Sequence, residues 1–484
     1  MLEKSEVIKL VDRMKQAVQN ELCREKYDMA LDLISNAAFV LYCTNIYYRD
    51  EELEKYLQEI SSKLNLLDNE FHKTDKILFF DGFGLNERGL AQIYLKALCK
   101  NRKVIYVTFH DCIDSIPDIK NILIESNSKL ITIKRKTGKY LDQIRQLNKI
   151  LLQENPGLFL FYSEPDDVVA TTIMYTYHTR IKCYQINLTD HAFWLGSGCI
   201  NKCIEFRDYG ASVSLNYRGI DKGNIVKLPF YPIIHEELTF QGYPFEKKQN
   251  QKVIFSGGSL YKTFGDENRY YKMLDDILNQ NDNVVFWYAG YGDDSELRKL
   301  IARYPNRVFH TGERTDLFQV LQHCDLYLST YPMCGGLMFQ YAAKAGIVPL
   351  TLRYDEMTDG ILIHQNDIHV QFATVEEVIE EANKLLNDDQ YRNARTDIMK
   401  KSVITEEQFE NKLNRILDNS DNGEDINFEY IDTTNFRNEY LLKRDSHYLD
   451  LVVANAKHFR SCIRYMPLRF LKGAYAKLIK HESV

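Results

Sequence analysis

In the stretch TYPMCGGLMFQYAAKAG (330–346), two adjacent glycines, Gly335 and Gly336, stand just ahead of an expected helix. The first turn of a helix leaves backbone N–H groups without partners at the positive end of its dipole, and glycine lets an anion come close. That combination suits a diphosphate; a tight turn between strand and helix is the plain structural alternative. Cys334 immediately before the pair and Gln340 one helical turn beyond it are assigned to the same binding loop. A second loop, SGGSLYKTFG (256–265), places Gly257 and Gly258 after an apolar run and adds the long cationic side chain of Lys262. Its spacing is not that of a P-loop. A third, DGFGLNERG (81–89), sets Arg88 and Gly89 at the start of a helix. Gly82, Gly84 and Gly89 miss the dinucleotide fingerprint, and no acidic ribose partner can be assigned. In a fourth, NLTDHAFWLG (187–196), Asp190 and His191 are neighbours whose side chains are expected to diverge. One would act as a base while the other positions or polarises a partner, with Phe193 and Trp194 as walls for a sugar. A helix-capping Asp beside a structural His is the competing reading.

Loops of this kind need elements to hold them. From Lys76 onward, short continuous apolar runs alternate with helical stretches: KILFF, VIYVTF, LITI, LFLFY and CYQINL, closing with NIVKLPFYPII (224–234). Strands that are apolar throughout and alternate with helices imply a parallel sheet covered on both faces. A polar, turn-rich stretch, FQGYPFEKKQNQ, then reads as a linker, and the same grammar restarts with KVIFSGG, VVFWYAG, RVFH, DLYLS and IVPLTL. The expected division is a helical N-terminal region (1–72), a first Rossmann-like domain (73–232), a linker (233–251), a second Rossmann-like domain (252–420) and a helical, basic tail (421–484). The fold class is α/β, with two Rossmann-like domains facing a cleft and loops at the carboxyl ends of the strands lining it. The apolar stripe Ala30, Leu33, Ile34, Ala37, Ala38, Leu41 marks the N-terminal region as a small helical cap.

The chain has 484 residues, 45% hydrophobic and 27% charged, enough for two or three packed domains. A formal net charge of −7 excludes a general nucleic-acid binder, which needs a positive field. The ten cysteines are scattered, with no CxxC pair, as suits a reducing cytoplasm rather than a disulfide scaffold or zinc site. Charges interleave the first residues, and no apolar run reaches the ~20 residues of a membrane span, so the expected location is cytoplasmic.

With these loops in this order, residues Lys76 to Asn387 resemble the GT-B glycosyltransferases. The string GERTDLFQVLQHCDLYLSTYPMCGGLMFQYAAKAGIVPL is similar to that family's donor-binding stretch. The resemblance implies a nucleotide-diphosphate sugar as donor, held by the second domain, with Gly335 and Gly336 at its diphosphate and Lys262 neutralising it. It implies an acceptor (a glycan, a lipid-linked sugar or a protein) held by the first domain, with His191 or Asp190 as base, and neither metal nor further cofactor. Gln340 stands where many retaining members carry a ribose-gripping Glu, and Pro332 where those members carry its partner. The loop is closer to members with a Pro-x-x-Gly-Gly pattern, among them protein O-glycosylating enzymes. Synthesis of a surface polysaccharide or glycoconjugate is the expected setting; a nucleotide-sugar epimerase and a non-catalytic relative are the alternatives.

The last segment carries Lys457, Arg460, Arg464, Arg469, Lys472, Lys477 and Lys480 among Phe459, Ile463, Leu468, Phe470, Leu471, Tyr475, Leu478 and Ile479. A basic amphipathic segment on an acidic chain points to an anionic membrane surface as partner (457–480), and equally to a tail packing back on the domains.

Overall fold

The continuous apolar runs become the inner strands of two parallel sheets. The computed structural model describes residues 2–67, 71–84, 90–109, 116–136, 138–353, 362–363, 368–423, 425–442 and 444–479. The chain forms two compact units, one of Met1–Lys227 with Leu413–Val484 and one of Leu228–Lys412.

In the first unit the strands are β1 (Ile77–Asp81), β2 (Val104–Thr108), β3 (Lys129–Thr132), β4 (Leu158–Tyr162), β5 (Lys182–Ile186), β6 (Lys202–Glu205) and β7 (Ile225–Lys227). They lie in the order β3-β2-β1-β4-β5-β6-β7, all parallel. β1, β2 and β4 are buried along their whole length, as a sheet covered on both faces requires, whereas β3 at the edge is partly exposed. The second unit repeats the plan with β8 (Lys252–Gly257), β9 (Val284–Ala289), β10 (Val308–Thr311), β11 (Leu326–Leu328), β12 (Pro349–Leu352) and β13 (Gln371–Phe372). Its order is β10-β9-β8-β11-β12-β13, again parallel. Strand order reverses between β1 and β4 in one sheet and between β8 and β11 in the other. At such switch points, the loops beyond the carboxyl ends open a crevice for ligand.

The N-terminal helices belong to the first unit's own core. Val7, Leu10, Val11, Met14 and Val18 of the helix Lys4–Leu22 are buried in the same cluster as Leu78, Phe80, Phe159 and Phe161 of the sheet. The helix Tyr27–Thr44 is buried nearly all round and reads apolar to match, with Asp32, Ser35 and Asn36 as buried polar exceptions. Each exception has a partner far along the chain. Ser35 Oγ donates to the Asp166 carboxylate at 3.0 Å, Asn36 to Cys462, and Asp32 accepts from Tyr140 and from the Ser461 amide at 3.0 Å each.

The tail, set apart as a separate region on sequence, therefore returns to the first unit. His458 lies fully buried between Asp32 (3.2 Å) and Asp166 (3.6 Å), and Lys457 reaches Asp166 at 2.8 Å and Glu164 at 3.0 Å. Burial opposes charging of the His458 ring, but the two carboxylates outweigh it and raise its pKa. A raised base stabilises the fold fully below its ordinary value of about 6.5 and loses that contribution as pH climbs through the raised one. The stability gap between the native protein and a His458→Asn variant is therefore expected to narrow steadily from pH 6.5 to 9 in thermal unfolding scans. A gap independent of pH would contradict the charged state assigned here.

The expected linker is not a free tether. Phe240 stacks on His323 at 4.0 Å, the Gln241 amide donates to Asp316 at 2.8 Å, and the Tyr243 hydroxyl donates to the His323 carbonyl at 2.6 Å. These contacts hold 240–243 on the second unit.

Candidate functional site

The two glycine loops singled out in the second half of the chain follow β8 and β11, the strands on either side of the switch point. Beneath them a buried hydroxyl chain joins the strands: Tyr270 donates to Ser256 Oγ at 2.7 Å, and Ser256 donates to the Leu328 carbonyl at 2.6 Å. Above, the Met333 amide donates to the Lys262 carbonyl at 3.3 Å, tying one loop to the other. Gly258 sits at φ +125°, where a side chain would strain the backbone, and the Tyr288 hydroxyl donates to its carbonyl at 3.0 Å. Gly257, at the end of β8, is buried. Lys262 lies half-buried in the short turn Leu260–Thr263, held where Thr263 bonds back to the Leu260 carbonyl at 2.7 Å.

After β11 the chain passes a cis peptide before Pro332 and enters the helix Gly336–Ala345, with Gly335 as its N-cap residue. No side chain caps this helix, and Gly336, Leu337 and Met338 of its first turn are half-exposed. Gly335 has φ −86°, open to any residue, and a Cβ built there would find its nearest neighbour, Met338 Cβ, at 3.7 Å. Packing does not demand glycine there; its lack of a side chain leaves room above the helix start. Cys334 is half-buried and accepts from Ser329 Oγ at 3.3 Å. Asp266, whose charge would repel an anion, is paired with Arg269 at 3.1 Å and accepts from the Tyr331 hydroxyl. Gln340 differs from expectation. It is fully buried and its amide donates to the Phe230 carbonyl, so the position opposite a ribose-binding Glu is spent on holding the entry segment of this unit.

In the first unit, the loop after β5 carries Asp190 and His191. Their side chains do not diverge, because a turn closed by the Ala192 amide on the Thr189 carbonyl (3.2 Å) folds them together. His191 Nδ1 lies 3.3 Å from Asp190 Oδ1. Arg207 grips the same carboxylate with a fork, Nε to Oδ2 at 2.6 Å and Nη2 to Oδ1 at 3.1 Å. Burial works against ionisation of Asp190, yet the Arg207 charge and the hydrogen bonds from His191 and Arg207 hold its pKa far below the ordinary carboxylate range. Asp190 is thus not a proton acceptor; it is a fixed anion. An ionised carboxylate can only accept, so it is His191 Nδ1 that donates in this contact. Phe193 and Trp194 are also displaced from their expected role, being buried, Phe193 in the unit's main core and Trp194 beside Cys203 and Ala211. Arg88 and Gly89 lie outside the described residues.

No protein-family model matches the chain, and no curated protein matches it in sequence. Its structure is similar to that of a variant of the Thermobaculum terrenum O-GlcNAc transferase, with a TM-score of 0.54 at 14% identity over 84% of this chain and 80% of that one. It is similar also to TarM, with a TM-score of 0.52 at 12% identity over 72% of this chain and 99% of that one. The fold is GT-B.

Within this GT-B fold, the first unit holds a further constellation that local sequence patterns do not announce. A cavity of about 180 Å³ lies beyond the carboxyl ends of β2, β3 and β4, lined by Phe109, Arg135, Lys136, Asp166, Asp167 and Lys457 among others. Arg135 pairs with Glu164 at 3.0 Å, and Lys457, arriving from the tail, reaches the same carboxylate at 3.0 Å and Asp166 at 2.8 Å. A wall of cations and carboxylates beside Phe109 offers both donors and acceptors to a hydroxyl-rich guest. The only sequence signal was the basic run at 457–480. A larger cavity, about 510 Å³, lies in the second unit between Arg353, Phe372 and the helix Val375–Asn387. Glu377, Glu380 and Glu381 on its wall make it a poor receptor for a diphosphate.

Proposed function

We propose that the protein is a glycosyltransferase that moves a sugar from a nucleotide-diphosphate donor to an acceptor hydroxyl. The observation that carries this reading is the meeting of two glycine loops, joined by the Met333–Lys262 bond, at the uncapped start of the helix Gly336–Ala345. Backbone N–H groups and a helix dipole are available there, and Lys262 stands on the adjoining turn to supply an ammonium, the set that binds a pyrophosphate and steadies it as a leaving group. The fold shared with an O-GlcNAc transferase agrees with that reading.

In the transfer, the bond from the sugar's anomeric carbon to the diphosphate oxygen breaks, and its electron pair leaves with the diphosphate. The acceptor oxygen forms the new bond to that carbon and gives up its proton. His191 Nε2 takes that proton, while Asp190, kept ionised by Arg207, stabilises the imidazolium that results. The cavity of Arg135, Asp166 and Lys457 is where we place the acceptor. The acceptor is a glycan, lipid-linked or protein hydroxyl, in surface-glycan or glycoconjugate synthesis.

The test uses Gly335. In a thermal-shift panel, one nucleoside diphosphate is expected to raise the melting temperature of the native protein. The Gly335→Ala variant should melt within about 1 °C of the native protein without ligand, because its new methyl group makes only an ordinary contact. Its affinity for that nucleotide should fall about tenfold, the equivalent of ~1.4 kcal/mol. No response to any nucleoside diphosphate at millimolar concentration would remove the donor site.

A further inference from the structure

The helix Pro467–Ile479 packs inside out. Its buried face consists of the small residues Gly473 and Ala476. A Cβ on Gly473 would stand 2.0 Å from the Asp450 carbonyl oxygen, so this helix and Ser446–Val453 touch backbone to backbone. Apart from Phe470, which packs on the core, the large apolar residues are left outside. Leu468 and Leu478 are each 75% exposed, with Leu471, Tyr475 and Ile479 also exposed beside them. These positions recur at i, i+3, i+7, i+10 and i+11, which puts them on one stripe of the helix. Phe459 and Ile463, on the preceding helix Phe459–Tyr465, are exposed as well. A surface helix ordinarily turns its leucines inward, and contiguous exposed apolar patches mark interaction sites.

The charge around the stripe decides what it meets. Residues 457–480 contain seven Lys and Arg and no Asp or Glu, in a chain whose formal net charge is −7. Three of the seven pair with carboxylates, Lys457 with Glu164 and Asp166, Arg464 with the buried Glu21 (3.1 Å) and Arg469 with Glu6 (2.6 Å) and Asp450 (2.8 Å), while Lys477 donates to the Ala454 carbonyl at 3.2 Å and Arg460 to the Gly138 carbonyl at 3.4 Å. Arg460, Arg464 and Lys472 are exposed on the same two helices as the apolar side chains. A second copy of the chain would set like charges against one another, which opposes self-association through this face. Among the described residues no helix is long and apolar enough to cross a membrane. An amphipathic stripe with flanking cations lies in the plane of an anionic interface instead.

We propose that the exposed face of Phe459–Tyr465 and Pro467–Ile479 docks on an anionic lipid bilayer, with Leu468, Leu471, Tyr475, Leu478 and Ile479 entering the acyl boundary and Lys472 and Arg460 meeting the headgroups. The contact is independent of the transfer reaction and would hold the enzyme at a surface where lipid-linked acceptors reside.

Co-sedimentation of the full chain with phosphatidylglycerol/phosphatidylcholine vesicles, against phosphatidylcholine alone, tests it. The native protein is expected to pellet with the anionic vesicles and to be released by salt. Leu471→Glu combined with Leu478→Glu should abolish binding at an unchanged melting temperature, because both positions are exposed. A basic residue near an anionic surface contributes about fivefold in partition, so the reversal Lys472→Glu should cost more than about tenfold. Equal recovery with both vesicle types, or no recovery with either, would overturn the proposal. So would sedimentation velocity showing a dimer that the double variant dissociates, with no vesicle binding, since the face would then serve a second copy.

Discussion

Replacing Lys262 by methionine is expected to lower the rate of sugar transfer by about 100-fold or more while leaving thermal stability within about 1 °C. The expectation rests on where the residue is held. Its carbonyl accepts from Met333, a backbone contact that survives substitution, and Thr263 beside it is fixed by the Leu260 carbonyl at 2.7 Å and the Tyr271 hydroxyl at 2.8 Å. The turn keeps its shape, and methionine keeps most of the side-chain volume while removing the charge. If the ammonium steadies charge that builds on the departing diphosphate, its loss falls on kcat more than on KM. Initial rates against donor concentration separate the two: a rise in KM alone would make Lys262 a ground-state binder, and a rate within threefold of the native enzyme would remove it from the site.

The placement of Lys262 was legible because its signal is local. A continuous apolar strand followed by glycines and then a helix is a short-range pattern, and both loops of the second unit lie where the alternation of strands and helices put them. The inner strands were equally plain, since β1, β4, β8 and β9 are apolar along their length and buried accordingly. β6 was not, because KCIE carries a lysine and a glutamate into the interior, where Lys202 donates to the Asp421 carbonyl (3.1 Å) and Glu205 accepts from Asn187 at 2.9 Å. β13 spans only Gln371–Phe372, too short for any periodicity.

The misread features share a cause: their partners are distant in sequence. Nothing near Asp32 announces His458, and nothing in the tail announces Asp166, yet these contacts bring the tail onto the first unit and Lys457 to the wall of its cavity. Gln340 aligned with a ligand-facing position in the resembling family, but the Phe230 carbonyl, 110 residues earlier, claims its amide. Asp190 and His191 were expected to point apart as neighbours do in an extended or helical chain. A turn between Thr189 and Ala192, invisible to hydrophobic periodicity, converts them into a carboxylate–imidazole pair, and Arg207, seventeen residues on, decides which of the two can accept a proton.

That turn depends on one buried cation, and its removal is expected to have the largest effect on folding. Arg218 ends the helix Asp208–Arg218 and is wholly buried. Its Nη2 donates to three carbonyls of the loop after β5, those of Ala192 (2.7 Å), Asp190 (2.9 Å) and Thr189 (3.3 Å), and Nη1 donates to Ser214 at 3.2 Å. Its guanidinium carbon stands 5.1 Å from the Tyr48 ring and 5.2 Å from Trp194. Burial pushes the pKa of Glu205 up, and the Arg218 charge is the strongest influence opposing that rise. Arg218→Met fills the space but strips a donor from three carbonyls, of which only that of Thr189 keeps the Ala192 amide, and leaves a buried carboxylate without its cation, a loss of about 3–5 kcal/mol on the scale of a broken buried pair. Urea unfolding should show that loss. Arg218→Lys should recover only part of it, because one ammonium cannot spread donors across three carbonyls and a hydroxyl. A loss below about 1 kcal/mol for Arg218→Met would mean the loop is held by other contacts. Whatever fraction of the variant stays folded is expected to transfer sugar poorly. The same carbonyls that Arg218 gathers belong to the residues that set His191 against Asp190, so stability and the geometry of that pair share this one side chain.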